Sequence, residues 1–366
     1  MADVLILGAG IIGCAVADTL ARRGARVRLI DPRGVGLGAT QASAGMLAPF
    51  TEGRHDREMQ ALGVCSLERY GALIDRLREE GHDVAFSRRW SIDVAFDETR
   101  ARQLAGDAKG LAADGVSYTF YEDDDARGFA PAVDARVKAI LEIPAHGAVG
   151  VADLTAALWK SAEARGARLT AASATRVAHA RGAIRVETTC GVMDAPHVVL
   201  ASGCWAGAVD LDGRAPLPVR PVRGQLLVLR LPSPPLAPTV WGPDCYLVPW
   251  SDGTVLVGAT VEEAGFDEQA TVAGVSGLLA AAPAVLPELS RATLLGVRVG
   301  LRPGTPDDRP VIGNSRRVPG LVYATGHYRN GALLAPVTAE IVGDLIEGRE
   351  TNPSLDAFSP DRFGEY

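Results

Sequence analysis

The sequence contains little cysteine and no surplus of basic charge. Its 366 residues include five cysteines without a CxxC pair, so we expect neither a disulfide framework nor a cysteine-rich zinc site. Lysine and arginine (37) are outnumbered by aspartate and glutamate (44), which gives a net charge of −7. This balance excludes the basic surface that is typical of nucleic-acid-binding proteins, and we expect no nucleic-acid partner.

Long apolar runs are also missing. No uninterrupted stretch approaches the roughly 18 apolar residues that a membrane-spanning helix needs. The apolar N-terminal segment has Asp3 where a signal peptide carries basic residues, and it is interrupted by glycines and then by Asp18. Together with the reduced state that the cysteine content favours, these absences predict a cytoplasmic protein without a membrane span.

Motifs for metal binding and for nucleophilic catalysis are absent from the sequence. No GxSxG motif or Ser/His/Asp arrangement is evident, and no paired-carboxylate site can be assigned. We expect no metal site, because five of the histidines lack the spacing of metal ligands and are interpreted as surface or structural residues: His55, His82, His146, His179 and His197.

The N-terminal part of the chain has the pattern of a βαβ unit. Residues 3–8 (DVLILG) predict a buried strand, and residues 11–23 predict a helix with one apolar face. Residues 25–31 predict a second strand. A unit of this kind is the usual first element of a doubly wound nucleotide-binding fold.

Three glycines lie at the turn between this first strand and the helix. Gly8 permits a tight turn, Gly10 lets the backbone approach a pyrophosphate, and Gly13 lets the helix pack closely on the strand. The helix N-terminus offers free N–H groups to phosphate, and Asp31, eighteen residues past Gly13, can bind a pair of ribose hydroxyls. The motif predicts dinucleotide binding, with a tight turn without ligand as the alternative, and does not distinguish FAD from NAD.

The rest of the chain alternates between helical and strand patterns. Helices are predicted over 66–81, 153–165, 271–281 and 331–346, and strands over 86–96, parts of 168–203, much of 216–300, and 321–326. Nucleotide-domain features occur at the start, middle and end, so we predict an α/β fold with a discontinuous Rossmann-like domain and an inserted antiparallel β-rich substrate-binding domain. The predicted limits are 1–85, 146–215 and 300–366 for the first domain, and 86–145 and 216–299 for the second.

Residues 36–49 (GLGATQASAGMLAP) resemble the loop that wraps the flavin in the D-amino-acid oxidase superfamily of FAD-dependent amine oxidases. The match is best to its glycine oxidase (ThiO) branch. The resemblance covers nearly the whole chain in the family order, through ASGCWAG (201–207), PVRGQLL (221–227), CYLVPWSDGTVLVGAT (245–260), GLRPGTPDDRPVIG (300–313) and ATGHYRNGALLAP (324–336). It implies that the dinucleotide is FAD. Some relatives tether flavin through a cysteine late in the chain, and since no cysteine follows Cys245 we expect non-covalent FAD.

The resemblance also implies which residues bind the cofactor. Besides the three glycines, it places the backbone of Ile11 and Ile12 at the diphosphate, with Ala39 and Thr40 along it. Asp31 and Pro32 would lie at the adenosine ribose, and Ala174 (or Val177) near the adenine. Ala44, Gly45 and Met46 would lie against the isoalloxazine. It places His327, Tyr328, Arg329, Asn330, Gly331, Ala332 and Leu333 along the pyrimidine edge of the flavin. A helix that begins at Gly331 would direct its N-terminal dipole at the edge where reduction adds negative charge.

Three residues are expected to hold the substrate. The resemblance implies that Arg302 forms a bidentate contact with an amino-acid carboxylate, and the alternative is an ion pair with Asp307 or Asp308. Tyr246 would add its hydroxyl to the same carboxylate, or it is an ordinary core residue. Arg329 would contact the substrate, or it caps a local carbonyl. Asp244 and Val261 depart from residues found in some relatives, and both are expected at the rim of the pocket.

The resemblance implies oxidative deamination of glycine and other small amino acids or amines. The products would be a 2-oxo acid, ammonia and hydrogen peroxide, with oxygen as the second substrate, and the glycine imine would serve thiamine thiazole synthesis. The family often forms tetramers, which implies a homo-oligomer. The alternatives are a sarcosine or D-amino-acid oxidase, a dehydrogenase that passes electrons to a quinone, an NAD-dependent dehydrogenase and a non-catalytic dinucleotide-binding module.

Overall fold

The structure is a computed structural model that describes residues 2–88, 90–180, 182–213, 216–232, 237–351, 355–364 and 366. The α-helices within these residues are α1 (Ile11–Arg22), α2 (Pro49–Glu52), α3 (Arg57–Glu79), α4 (Glu98–Ala113), α5 (Asp123–Phe129), α6 (Val151–Ala164), α7 (Val272–Val285) and α8 (Gly331–Ile346). The strands are β1 (Val4–Leu7), β2 (Val27–Ile30), β3 (Met46–Leu47), β4 (Phe86–Ser87), β5 (Ser91–Ala95), β6 (Thr119–Glu122), β7 (Ala139–Ile143), β8 (Gly147–Val149), β9 (Arg168–Thr170), β10 (Ala174–Ala180), β11 (Ala183–Thr188), β12 (Gly191–Ala195), β13 (His197–Leu200), β14 (Arg220–Arg230), β15 (Thr239–Trp241), β16 (Tyr246–Pro249), β17 (Thr254–Gly258), β18 (Thr293–Gly304), β19 (Val311–Asn314) and β20 (Leu321–Thr325).

A six-stranded sheet in the order β19-β20-β13-β1-β2-β9 carries the N-terminal βαβ unit. All of its neighbouring strands are parallel except β19, which runs antiparallel to β20. Alternate residues of β1 pack on opposite sides: Ile6 belongs to the core under the helices, and Leu5 belongs to the core formed with the sheet β10-β11-β12. Because both faces are covered, β1 reads as a continuous apolar run rather than an alternating one.

The glycine-rich turn has the tight packing that the motif predicts. Gly8 has a φ of +112°, which L side chains rarely adopt, and a Cβ on it would lie 2.4 Å from the Ala201 carbonyl oxygen. A Cβ on Gly13 would lie 2.0 Å from the Gly8 carbonyl oxygen. Helix α1 therefore packs on β1 at a distance that only glycine permits, and its N-terminus lies next to the carboxyl end of β1.

An eight-stranded sheet in the order β18-β14-β17-β16-β15-β5-β7-β6 forms the second large layer. Its pairs are antiparallel apart from β5 and β15. The predicted fold class, a mixed α/β protein with a Rossmann-like sheet and an antiparallel β-rich part, is confirmed. Strand β18 runs through residue 300, where one predicted domain limit lies, and the limits themselves stay a prediction.

Several predicted boundaries were wrong. The helix predicted over 66–81 begins at Arg57, where Asp56 caps it by accepting from the Met59 N–H at 3.1 Å. The strand predicted over 86–96 is two strands in different sheets, β4 and β5. Helix α4 was not predicted, because its apolar face consists of only three buried residues in a polar segment: Leu104, Ala108 and Leu111.

Helix α8 begins at Gly331, as predicted, and contains Pro336. Proline has no N–H to donate to the Ala332 carbonyl oxygen, one turn earlier. The hydroxyl of the fully buried Tyr70 on α3 donates to this oxygen instead. Ser66, also on α3, donates to the Leu333 carbonyl oxygen at 2.6 Å. Side chains of α3 therefore complete the hydrogen bonds of α8 close to its N-terminus.

Candidate active site

A cavity of about 640 Å³ lies between the two large sheets. Its wall combines residues of the six-stranded sheet, such as Leu7 and Ile30, with residues of the eight-stranded sheet, such as Tyr246 and Arg302. The predicted site residues on this wall are Gly8, Gly10, Ile11, Ile12, Asp31, Pro32, Ala39, Thr40, Met46, Ala174, Tyr246, Arg302, His327, Tyr328, Arg329, Gly331 and Ala332. Residues separated by up to 324 positions in the chain thus meet around one space.

Five predicted cofactor residues do not line the cavity: Gly13, Ala44, Gly45, Asn330 and Leu333. Gly13 packs on Gly8, and Leu333 belongs to the core between the helices. A Cβ on Gly45 would lie 1.9 Å from the Val149 carbonyl oxygen, so this glycine holds the loop against β8. Gly13, Gly45 and Leu333 therefore pack behind the wall.

Asp31 links the glycine-rich turn to the loop that follows β2. One carboxylate oxygen accepts from the Ala9 N–H at 2.9 Å, and the other accepts from the N–H groups of Arg33 (2.8 Å) and Gly34 (3.1 Å). The Arg33 guanidinium lies over the Trp205 ring, 5.0 Å from its centroid. Asp31, Arg33 and Trp205 all line the cavity, so its wall here combines a carboxylate with an aromatic ring.

Polar groups near the N-terminus of α1 fit a dinucleotide diphosphate. The Ile11 N–H donates to the Thr40 hydroxyl at 3.0 Å, whereas the Ile12 N–H has no acceptor within the described chain. The hydroxyl of Ser202 on the same wall is buried and also lacks a described partner. A buried polar group is normally hydrogen-bonded, so unpaired donors on a cavity wall indicate a polar ligand.

The N-terminus of α8 forms another part of the wall, through Gly331 and Ala332. His327 precedes the helix, is fully buried, and has its Nε2 3.0 Å from the Thr338 hydroxyl. Burial lowers the pKa of His327 to about 3, so this imidazole is neutral at physiological pH. The dipole of α8 therefore adds a positive potential to this wall segment that does not depend on the protonation of His327.

Arg302 and Tyr246 approach each other across four neighbouring strands, β18, β14, β17 and β16. A Cβ on Gly224 of β14 would lie 2.3 Å from Arg302 Nη2, and a Cβ on Gly258 of β17 would lie 2.3 Å from the Tyr246 hydroxyl oxygen. The two large side chains therefore lie flat over two glycines, on the face of the sheet that lines the cavity.

The Arg302 guanidinium is held by backbone carbonyls. Its Nη1 donates to the Thr260 oxygen at 3.0 Å and, at a longer 3.4 Å, to the Arg223 oxygen. No carboxylate of the described residues lies within 4.0 Å of it, and Asp307 pairs with Arg362 at 2.7 Å. The alternative of a structural ion pair with Asp307 or Asp308 is therefore wrong, and the charge of Arg302 is available to a ligand.

The charged groups at this end of the cavity influence one another. Burial raises the pKa of Tyr246 and keeps its hydroxyl protonated, although the Arg302 charge opposes this shift. Burial lowers the pKa of Arg302, and the nearby positive charge of Arg329 acts in the same direction. For Arg329 burial acts to lower the pKa, but Glu52, Tyr328 and Tyr246 together outweigh it and the pKa is raised.

Sequence reasoning missed several wall residues: Glu52, Ser202, Trp205, Gly224, Trp241 and Gly258. Trp241 lies beside Tyr246, with ring centroids 5.7 Å apart. Gly224 and Gly258 fall within two of the quoted family segments, so the strand pattern could have drawn attention to them. No motif marks Glu52, which belongs to a helix of four residues.

The family model described as FAD dependent oxidoreductase (DAO) matches residues 3–345 of this chain. The chain belongs to this family. FAD is thereby confirmed as the cofactor and oxidation–reduction as the type of chemistry, and the NAD-dependent and non-catalytic alternatives are wrong.

Individual relatives agree with this placement. The chain is 35% identical to glycine oxidase from Geobacillus kaustophilus, over 98% of this chain and 96% of that protein. It is 34% identical to the bifunctional protein ThiO/ThiG from Nostoc sp., over 97% of this chain and 54% of that protein. The crystal structure of the Geobacillus kaustophilus glycine oxidase superposes with a TM-score of 0.95 at 34% identity, covering 99% of this chain and 98% of that one.

None of the helices in the described residues is long and apolar enough to cross a membrane. No group of three or more His, Cys, Asp or Glu side chains in the described ranges is arranged to hold a metal ion.

Proposed function

We propose that the protein oxidises glycine and other small amino acids by oxidative deamination, with oxygen as the electron acceptor. The net reaction converts glycine, oxygen and water into glyoxylate, ammonia and hydrogen peroxide. The observation that carries the proposal is the Arg302 guanidinium, which has no acidic partner among the described residues and lies beside the Tyr246 hydroxyl on the cavity wall. Curated relatives with the name glycine oxidase support the choice of substrate.

The carboxylate of the amino acid is the part of the substrate that this site recognises. Arg302 offers a buried, charged and planar donor set, which suits bidentate binding of a carboxylate. Tyr246, whose hydroxyl stays protonated, donates a further hydrogen bond to the same group. Arg329 adds a second positive charge nearby. Fixing the carboxylate orients the α-carbon, and such positioning can supply much of the rate enhancement.

FAD is held by the remainder of the wall. Asp31 binds the adenosine ribose with Pro32 and Ala174 nearby, and the N-terminus of α1 with Ser202 binds the diphosphate. Met46 and the segment from His327 to Ala332 would hold the flavin, and the N-terminal dipole of α8 would stabilise negative charge that reduction adds there. When bound, FAD would supply the two-electron oxidant for the substrate α-carbon, and water would hydrolyse the oxidised amino acid to the 2-oxo acid and ammonia.

We further propose that FAD is bound non-covalently. Two cysteines, Cys204 and Cys245, line the cavity, and burial raises the pKa of both thiols to about 12. A thiol has to be deprotonated to act as a nucleophile, so neither is activated for attachment to the flavin. A homo-oligomer and a role of the glycine imine in thiamine thiazole synthesis remain predictions from the resemblance, and a cytoplasmic location remains a prediction from the composition.

The purified protein tests these proposals in two steps. We expect a yellow protein whose FAD is released by acid precipitation, and protein that stays coloured after precipitation would contradict non-covalent binding.

Peroxide and 2-oxo acid release is then measured with glycine, sarcosine and D-alanine, with oxygen or an artificial electron acceptor. Glycine should give the highest kcat/KM. Preference for sarcosine or D-alanine, or turnover only with the artificial acceptor, would instead support the alternative oxidases or the dehydrogenase.

A further inference from the structure

Glu52 is an acidic residue on the cavity wall that the proposed function does not use. It is the last residue of α2 and shares the wall with Tyr246, Arg302 and Arg329. The residue is half-buried, and its carboxylate has no hydrogen-bond or ion-pair partner among the residues that the structure describes. This carboxylate is therefore uncommitted and open to a ligand.

The short helix that carries Glu52 is held in place on both sides. The Phe50 N–H donates to His146 Nε2 at 3.3 Å, and the Nδ1–H of this buried imidazole donates to the Ser91 hydroxyl at 2.6 Å. Beyond the helix, Arg54 pairs with the buried Asp93 at 2.5 Å and with Asp107. These contacts connect the segment around α2 to β5 and α4, and they fix the position of Glu52 relative to both elements.

The charge of Glu52 acts on all three residues that are proposed to bind the carboxylate. Burial raises the pKa of Glu52, and the positive charges of Arg329 and Arg302 oppose the shift without cancelling it. The same negative charge raises the pKa of Arg329 and of Tyr246. Glu52 therefore lies within electrostatic reach of the place where the substrate carboxylate binds.

Besides its carboxylate, an amino-acid substrate carries a positively charged ammonium group into the cavity. At neutral pH it enters as a zwitterion, and its ammonium group needs an acceptor as much as its carboxylate needs a donor. Other acids of the wall are less suited, since Asp31 lies at the glycine-rich turn, where the adenosine ribose is proposed to bind, and Asp244 is exposed at the rim. A carboxylate whose pKa lies closer to neutral is also a better proton acceptor than an ordinary one.

We propose that Glu52 binds the amino group of the substrate and accepts one proton from its ammonium form, an inference that rests on the proposed function. In this step an N–H bond of the ammonium breaks, its electron pair stays on nitrogen, and an O–H bond forms on Glu52. Nothing is oxidised or reduced. The lone pair that is set free on nitrogen is needed for the α-carbon to lose a hydride equivalent, and the proton leaves to water once the imine departs.

The test compares the holoenzyme with its Glu52→Gln variant, which keeps the size of the side chain and removes its charge. We expect kcat/KM for glycine to fall by about 100-fold or more, the usual contribution of a proton acceptor. The loss should shrink as the pH rises and more glycine enters with a neutral amine. Acetate has a carboxylate and no amino group, so its binding, followed by the change in flavin absorbance, should be unchanged or tighter. Glu52→Asp should recover part of the activity.

Controls separate this role from a structural one. Glu68→Gln alters an exposed acid on α3 and should change neither measurement. Unchanged kcat/KM for glycine in Glu52→Gln, or acetate binding that weakens in parallel with it, would overturn the proposal. If the wild-type protein oxidises no glycine, the proposed function fails, but titration still decides on Glu52: glycine, and not acetate, should bind more weakly to the variant, and equal effects on both ligands would contradict the inference.

Discussion

Tyr246 lies directly opposite Gly258 on the neighbouring strand, and its ring occupies the space that a side chain at Gly258 would fill. The Arg302 guanidinium likewise occupies the space that a side chain at Gly224 would fill, although Gly224 is diagonal to Arg302 on β14 and not directly opposite it. Because Gly224 and Gly258 have no side chains, the Arg302 guanidinium and the Tyr246 hydroxyl can lie over them and close to each other. The glycines act as positioning residues for the carboxylate site without offering any group to the substrate.

Gly258→Ala should therefore disturb catalysis more than folding. The added Cβ would lie 2.3 Å from Tyr246, so the ring must move by about an ångström. Displacements of this size can reduce the rate by up to about 100-fold. We expect kcat/KM for glycine to fall by about 10- to 100-fold while FAD stays bound, as steady-state kinetics and the visible spectrum would report. Gly296→Ala on β18 has open space around it and is the matched control. Equal effects of the two substitutions would contradict a positioning role.

Tyr70→Phe tests how α8 is supported. Loss of the hydroxyl leaves the Ala332 carbonyl oxygen without its donor in a buried position. An unsatisfied buried acceptor costs about 1–3 kcal/mol, so the free energy of unfolding should fall by that amount in urea titrations. FAD affinity should fall as well, because Ala332 is on the cavity wall. Tyr121→Phe, which removes a hydrogen bond from a half-buried tyrosine, should cost less.

The buried His146 predicts a pH dependence of stability. Burial, reinforced by the charge of Arg54, lowers its pKa from 6.5 to about 3. Below pH 6.5 His146 therefore takes up a proton in the unfolded chain, whereas in the folded protein it does so only at about pH 3. This contribution to stability is complete above pH 6.5 and is lost as the pH falls towards 3.

In that pH window His146→Gln should reduce the slope of unfolding free energy against pH by up to about 1.4 kcal/mol per pH unit. Denaturant titrations at several pH values measure this slope. His179→Gln, on an exposed position of β10, should leave it unchanged. A slope that is the same in the wild type and in His146→Gln would show that the folded protein protonates this histidine.

Local sequence patterns were enough to predict the glycine-rich turn and its surroundings. Gly8, Gly13 and Asp31 lie within one βαβ unit, where local spacing determines the geometry and the chemistry of a diphosphate determines the motif. Helix α8 was likewise predictable from its apolar stripe, although nothing in its own sequence shows that Tyr70 compensates for Pro336. Compensation of this kind depends on the packing of helices that are distant in the chain.

Glu52 and the two positioning glycines were not predictable for the same reason. The proposed role of Glu52 depends on its proximity to Arg302 and Arg329, which are about 250 and 277 residues away in the chain. Gly224 and Gly258 matter because β14 and β17 lie between β18 and β16 in the sheet, and strand order is not encoded in any local pattern. Of the substrate site, only Tyr246, Arg302 and Arg329 could be proposed, and these came from the resemblance.

The most direct measurement mixes the purified protein with glycine in the absence of oxygen and follows the loss of flavin absorbance. We predict complete bleaching in the wild type. For Arg302→Leu we expect the glycine dependence of the bleaching rate to be about 30- to 1,000-fold weaker, which corresponds to a lost contact of about 2–4 kcal/mol, with FAD still bound. Arg298→Leu on the exposed part of the same strand should behave as the wild type. Flavin that glycine does not reduce, or that it reduces equally in Arg302→Leu, would contradict glycine oxidation at this carboxylate site.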